Sequence, residues 1–234
     1  MCYNICMSKQ KLIVLSASRD SGMIDKGTTK FYDSVKRARN TSSVPSWCVY
    51  NNTTPLANVY NNYINKYKDK YEWIVLVHDD VYMPHLNNLS TILDETDYDV
   101  VGLAGSKTMN PKEPALWHLM SPREDYVGAV SHPIKGTDQH FVTSFGPLPS
   151  RSLVVDGLFI GIRTESLTDN MRFDESNPGK WHHYDLDFCL TCNKENKKVG
   201  VIDFPVVHNS PGLLSLDDEA FKKSQKWFLD KWRK

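Results

Sequence analysis

The sequence predicts an α/β fold with a mostly parallel central sheet flanked by helices, and three observations carry that prediction. Short apolar runs alternate with stretches of helical spacing over the first hundred residues. The runs are apolar throughout, as strands covered on both faces must be. No Pro/Gly/Ser-rich linker divides the 234 residues, so one domain is expected.

Residues 11–18 (KLIVLSAS) read as the first buried strand, and Arg19 and Asp20 open a loop after it. Residues 31–39 place Phe31, Val35 and Ala38 on one helical face. Residues 46–50 (SWCVY) form a second strand, closed by Asn51 and Asn52. Residues 56–71 return to helical spacing with Leu56, Val59, Tyr60, Tyr63, Ile64 and Tyr67. The strand at 73–77 (WIVLV) ends abruptly in His78, Asp79 and Asp80. A helix at 84–94 and a strand at 99–104 follow.

Residues 105–150 are rich in Gly, Pro, His, Trp and Ser with weak periodicity, and read as a long functional loop. Residues 152–163 (SLVVDGLFIGIR) regain strand character, with Asp156-Gly157 inside the run. Residues 185–193 are helical, residues 199–207 form a last strand ending at His208, and residues 217–232 are an amphipathic helix presenting Phe221, Trp227, Phe228 and Trp232.

Composition excludes several classes. Lys plus Arg and Asp plus Glu number 28 each, so no overall basic field attracts nucleic acid. The five cysteines (Cys2, Cys6, Cys48, Cys189, Cys192) are an odd, irregular set that fits a reducing compartment, and Cys189-x-x-Cys192 lacks a second pair for zinc. Asn4, Ser8 and Lys9 interrupt any secretory apolar region, and no apolar run approaches the roughly 18 residues of a membrane span. A cytoplasmic location and no transmembrane segment are expected.

Polar clusters fall where strands end: residues 16–20, Asn51-Asn52, residues 78–80 and His208-Asn209. In parallel α/β sheets ligands gather at those ends. Two adjacent acids at the mouth of a buried strand suit a divalent cation completed by phosphate oxygens. Imidazole from His208 tilts the choice toward Mn²⁺ over Mg²⁺. Asp185 and Asp187 lie two apart at a helix start and cannot point the same way; one is free to act as a general base on a hydroxyl.

The ordered set Val77-His78-Asp79-Asp80-Val81, Val101-Gly102-Leu103-Ala104-Gly105, Trp117, Val155-Asp156-Gly157-Leu158-Phe159, Phe173-Asp174, residues 183–190 (HYDLDFCL) and Val206-Val207-His208-Asn209-Ser210 resembles the GT-A glycosyltransferases. It most resembles their inverting, family-two-like branch of bacteria and large DNA viruses, over about residues 11–232. The resemblance implies a Rossmann-like nucleotide-diphospho-sugar transferase fold, with a nucleotide-binding half at about 11–104 and an acceptor and catalytic half at about 105–234. It implies Asp80 and His208 as ligands of Mn²⁺ (or Mg²⁺), with Asp79 nearer the ribose or the metal. Ser16, Ala17, Arg19 and Asn51 would face the nucleotide. Asp156, Gly157, Trp117 and His183 would meet the sugar or acceptor, and Asp185 would be the base. Two positions depart from the pattern: His78 stands where an acid is usual, and Tyr184 where many relatives carry Glu. A UDP-sugar donor, a glycan acceptor and, for a viral chain, the host cytoplasm follow from the same resemblance.

Two rivals share parts of this pattern. A sugar-phosphate nucleotidyltransferase also combines a parallel sheet with acids, yet residues 16–20 (SASRD) lack its Gly-rich loop and lysine. A non-catalytic carbohydrate-binding protein on the same fold would use Trp117 and Trp181 for stacking without turnover.

Overall fold

The computed structural model describes residues 8–20, 29–39, 44–210 and 218–233; Cys2, Asn4, Cys6 and Asp217 lie outside them. Strand β1 (Gln10–Ala17) divides its side chains between two layers. Leu12 and Val14 pack with Phe31, Val35 and Ala38 of α1 (Lys30–Arg39), while Ile13 and Leu15 pack with Leu56, Tyr60 and Ile64 of α2 (Leu56–Tyr67). Strand β3 (Tyr71–Val77) does the same, with Ile74 and Leu76 on the α2 side and Trp73, Val75 and Val77 on the other. Both faces are covered, so neither strand shows an alternating polar side.

Strand β2 (Ser46–Val49) and β3 both pair parallel to β1, which places β1 between them. The chain reverses its direction of winding there, and the carboxyl ends of β1 and β3 open a crevice. The main sheet then continues through β11 (Phe159–Arg163), β5 (Val100–Gly102), β12 (Val199–Val201) and β9 (Ser150–Arg151). Strand β11 runs antiparallel to both β3 and β5, and β9 antiparallel to β12, so the sheet is mixed.

A second sheet has the order β10 (Val154–Val155), β6 (Ala104–Ser106), β7 (Tyr126–Pro133), β13 (Val207–His208) and β4 (Val81–Tyr82), with β8 (His140–Phe145) paired to β7. Three sequence expectations are corrected by it. Residues 105–150 are not a plain loop: they hold α4 (Trp117–Met120) and the β7–β8 hairpin. Strand residues 152–163 are two strands in different sheets, and Asp156-Gly157 is the crossing between them. The expected strand at 199–207 breaks after Val201, because Pro205 has no N–H for a ladder, and resumes at β13.

The remaining helices are α3 (Leu89–Asp94), α5 (Tyr184–Lys194) and α6 (Glu219–Trp232). The Cys189 and Cys192 side chains are buried in the α5 interface, and burial pushes the Cys189 thiol up to about 12. They pack as small apolar groups. Among the described residues, no helix is long and apolar enough to cross a membrane.

Helix α6 is anchored by charge. Asp187 on α5 is fully buried; its Oδ1 accepts from Trp232 Nε1 at 2.7 Å and Lys231 Nζ at 2.8 Å. Lys231 also reaches Asp174 at 2.6 Å. Burial opposes the charge on Lys231, but the two carboxylates outweigh it and raise its pKa. Lys231→Met leaves Asp187 with an uncompensated buried charge and is expected to cost about 3 kcal/mol in urea unfolding. An unchanged unfolding midpoint would show that Trp232 alone suffices.

Candidate active site

His78, Asp79 and Asp80 occupy the turn from β3 into β4, where the main sheet hands the chain to the second one. β13 pairs antiparallel with β4 in a register that sets His208 across from Val81. The backbone N–H of Asn209 then donates to the Asp80 carbonyl at 3.0 Å, which fixes the two segments against each other. Ligand atoms of His78, Asp80 and His208 lie within 4.8 Å of one another. His208 Nε2 approaches Asp80 Oδ1 to 3.3 Å, yet that oxygen is buried without a well-directed hydrogen bond. Buried carboxylate oxygens are rarely left so, and a cation satisfies one. Two imidazoles and one carboxylate are a softer donor set than the all-oxygen shell that Mg²⁺ prefers.

The electrostatics follow from the same contacts. Burial works against charge on His208, but Asp80 outweighs it and the pKa rises. Burial would raise Asp80, and His208 and His78 bring it below the ordinary value. Burial lowers His78.

His78 connects this cluster to helix α5. Its Nε2 lies 2.7 Å from the Tyr184 hydroxyl, which donates to the Gly157 carbonyl at 3.2 Å. A hydroxyl that donates to a carbonyl is an acceptor toward the imidazole, so the proton belongs on Nε2 and Nδ1 keeps its lone pair. The Gly157 N–H in turn donates to Asp185 Oδ2 at 2.7 Å, and Leu186 N–H to Asp185 Oδ1 at 2.9 Å. Asp185 and Asp187 therefore do diverge: Asp185 turns to the crossing strand and Asp187 to α6.

A Cβ on Gly157 would overlap the Tyr184 phenol and touch Asp185. Gly157→Ala is expected to cost about 10²-fold in turnover by displacing Asp185 and Tyr184 together. Normal turnover in that variant would show that neither group's position matters.

Burial raises the Asp185 carboxyl to about 7, helped by the neighbouring charge of Asp156. Asp156 itself accepts from Leu158 N–H at 2.9 Å. Burial lowers His78, His118 and His132 and the Asp156 charge acts against that shift, while for His208 it adds to the rise that Asp80 produces.

At the end of β1, Ser18 Oγ donates to Asp79 Oδ2 and also accepts from Asp20 N–H at 3.1 Å. Asn51, with φ of 50°, donates its N–H to the Asp20 carbonyl at 2.8 Å, and the Arg19 guanidinium lies 5.5 Å over the Trp181 ring. Ala17, Arg19, Asn51 and Asp79 thus gather around one loop cluster. Ser16 does not open onto it: its side chain is buried, and its carbonyl accepts from Tyr63.

His183 also departs from expectation. It takes a left-handed conformation (φ 58°) just before α5, which turns its ring under α6. There it stacks on Phe228, bonds Ser224 at 2.9 Å, and has its pKa lowered to about 3 by burial. Trp117 is nearly buried, packed edge-on against Tyr126. His132, whose ring lies 6.0 Å from His208, joins the site unannounced by sequence, because it lies in the aperiodic stretch 105–150, where no motif marks it.

Known structures similar to this chain include three of low sequence identity. GalNAc-T7, solved with UDP, GalNAc and Mn²⁺, is 10% identical with a TM-score of 0.51, covering 94% of this chain and 47% of that one. TarS residues 1–349 of S. aureus, solved with UDP-GlcNAc, is 14% identical (TM-score 0.49; 91% and 61% covered). A197 from STIV is 10% identical (TM-score 0.45; 90% and 100% covered). The chain thus spans under two thirds of the TarS and GalNAc-T7 chains. No curated protein matches the sequence. The model of the glycosyltransferase-like family matches residues 44–232. With the mixed α/β sheets of the GT-A fold and four fifths of its length under that match, the chain belongs to the glycosyltransferase-like family.

Proposed function

We propose that the chain is a metal-dependent, inverting glycosyltransferase that moves a sugar from a UDP-sugar to a hydroxyl of a glycan. The observation that carries this reading is the join between two chemistries. His78, Asp80 and His208 offer three ligand atoms on one side, and Asp185, with its raised pKa, stands on the other, linked through Tyr184 and Gly157.

In this mechanism residues 11–104 serve the nucleotide and residues 105–234 the sugars. Asp79, oriented by Ser18, receives the ribose side of the donor, and Arg19 with Asn51 frames the base. Asp80 and His208, with His78 behind them, would hold Mn²⁺, which supplies Lewis-acid stabilisation of the departing diphosphate. Asp156 orients the donor sugar through its hydroxyls. Asp185 takes the proton from the acceptor hydroxyl as that oxygen attacks the anomeric carbon; the C–O bond to the diphosphate breaks on the opposite face, and configuration inverts. A pKa near 7 suits that task, since the base is ionised yet still basic at neutral pH.

Thermal unfolding with nucleotides tests the reading. UDP with Mn²⁺ is expected to raise Tm by several degrees, equivalent to about 2.7 kcal/mol at a hundredfold excess over Kd, with smaller shifts for GDP and CDP. Equal shifts for all three, or none, would defeat the UDP assignment. Slow release of UDP from a UDP-sugar without acceptor separates an enzyme from a carbohydrate-binding protein.

A further inference from the structure

The edge strand β8 carries a row of side chains that the site does not yet account for. Phe141, Thr143 and Phe145 share one face and stand across the ladder from His132, Val130 and Gly128. The Phe141 ring lies nearly parallel to the His132 imidazole, with centroids 5.0 Å apart and an interplanar angle of 26°. Phe141 is nevertheless 52% exposed. The next ring inward is His208, 6.0 Å from His132, so the aromatic row runs from solvent to the metal-ligand cluster. At its other end Phe145 meets Tyr126 edge-on at 5.3 Å.

An exposed phenyl ring on an unpaired edge strand is a liability unless something covers it. The chemistry of the row states what. None of residues 140–145 (HFVTSF) is Asp, Glu, Lys or Arg; the Arg123 guanidinium lies 5.7 Å over the Phe145 ring at the far end of the row, so it is the Phe141 end that offers an uncharged platform. Flat apolar faces alternate with the Thr143 hydroxyl, and Phe141 and Phe145 stand about 13 Å apart along the strand. A pyranose chain offers the complement: apolar ring faces, hydroxyl rims and no charge. Continuity with His208 argues against an unrelated partner, because a ligand laid along the row is led toward Asp156 and Asp185.

We propose that Phe141 and His132 form a subsite that stacks a neutral sugar ring of the acceptor, with the Thr143 hydroxyl beside it for the ring's polar rim. This rests on the transferase reading of the adjoining site. The subsite binds through the ring face and holds the acceptor so that a hydroxyl of its end residue reaches Asp185.

Saturation-transfer NMR on the full chain tests it, with cellobiose, N,N′-diacetylchitobiose and lactose as probes. At least one is expected to receive saturation at its ring protons, to bind about 5- to 10-fold more weakly to Phe141→Ala, and to bind Phe141→Trp as well as the wild type. UDP binding with Mn²⁺, measured by calorimetry, should be unchanged in both variants. No binding of any probe to the wild type would overturn the subsite, as would full binding to Phe141→Ala. A wild-type dimer that Phe141→Ala dissociates in sedimentation would assign the face to a second copy and overturn it as well. Absence of UDP binding to the wild type alongside sugar stacking would instead defeat the transferase reading and leave the platform standing.

Discussion

Asp185→Asn is expected to lower sugar transfer about 10³-fold while leaving UDP and Mn²⁺ binding intact. The Gly157 and Leu186 N–H groups reach different carboxylate oxygens, so the amide keeps one of the two bonds through its single oxygen and sets its NH₂ toward the other; size and shape survive while basicity goes. In the wild type, kcat should climb with pH through about 7, where Asp185 ionises, and the variant should lose that limb. The sign for stability is the reverse. A carboxyl whose folded pKa is raised binds a proton more tightly in the folded state, so stability falls as pH rises from the unfolded value near 4 toward 7. Asp185→Asn escapes that penalty but gives up one N–H bond, so its stability relative to the wild type should improve as pH rises from about 4 to 8. Near-normal transfer by the variant would remove Asp185 from the base role; a stability difference that does not change with pH would mean that the folded state does not raise the carboxyl.

Loss of the metal should be the other large effect. Asp80→Ala and His208→Ala each remove a ligand from a cluster of three, and each is expected to abolish Mn²⁺ binding in calorimetry. Turnover should fall about 10³-fold, or about 4 kcal/mol at the transition state. The control is Asp79→Asn. Asp79 points to Ser18 and not to the cluster, so its loss should raise the donor KM about 10-fold with Mn²⁺ affinity unchanged. If Asp79→Asn also abolished Mn²⁺ binding, the ligand set would need to be redrawn around Asp79.

The first half of the fold was legible because each element there is long enough to show a period. β1 and β3 each carry five consecutive buried residues, and α2 repeats its apolar face over three turns. Several strands of the second half, such as β6, β10 and β13, have two or three residues and are too short for any period to emerge. Strand β8 is longer, but it is exposed on both faces, Val142 being 61% exposed, so no inward face could be read. The site divides in the same way. Asp80 and His208 were visible as polar ends of apolar runs. His132 was not, because it lies inside a strand rather than at the polar end of an apolar run, and the His208 ring it approaches belongs to a strand distant in sequence. His183 was misread because a left-handed φ, not its residue type, decides which way it faces.

The three-residue crossing at Asp156-Gly157-Leu158 also bears on how this molecule tolerates change. Strands β10 and β11 lie in different sheets, and a one-residue insertion between them would turn every following side chain of β11 to the wrong face. The spacing between Asp185 and the His78 cluster is thus locked to the sheet register. Segment 134–139 at the tip of the β7–β8 hairpin carries no such constraint, so its length can drift without touching the chemistry. On the proposed function, a centre that cannot be re-spaced beside a hairpin that can would let acceptor choice diverge while the reaction stays the same.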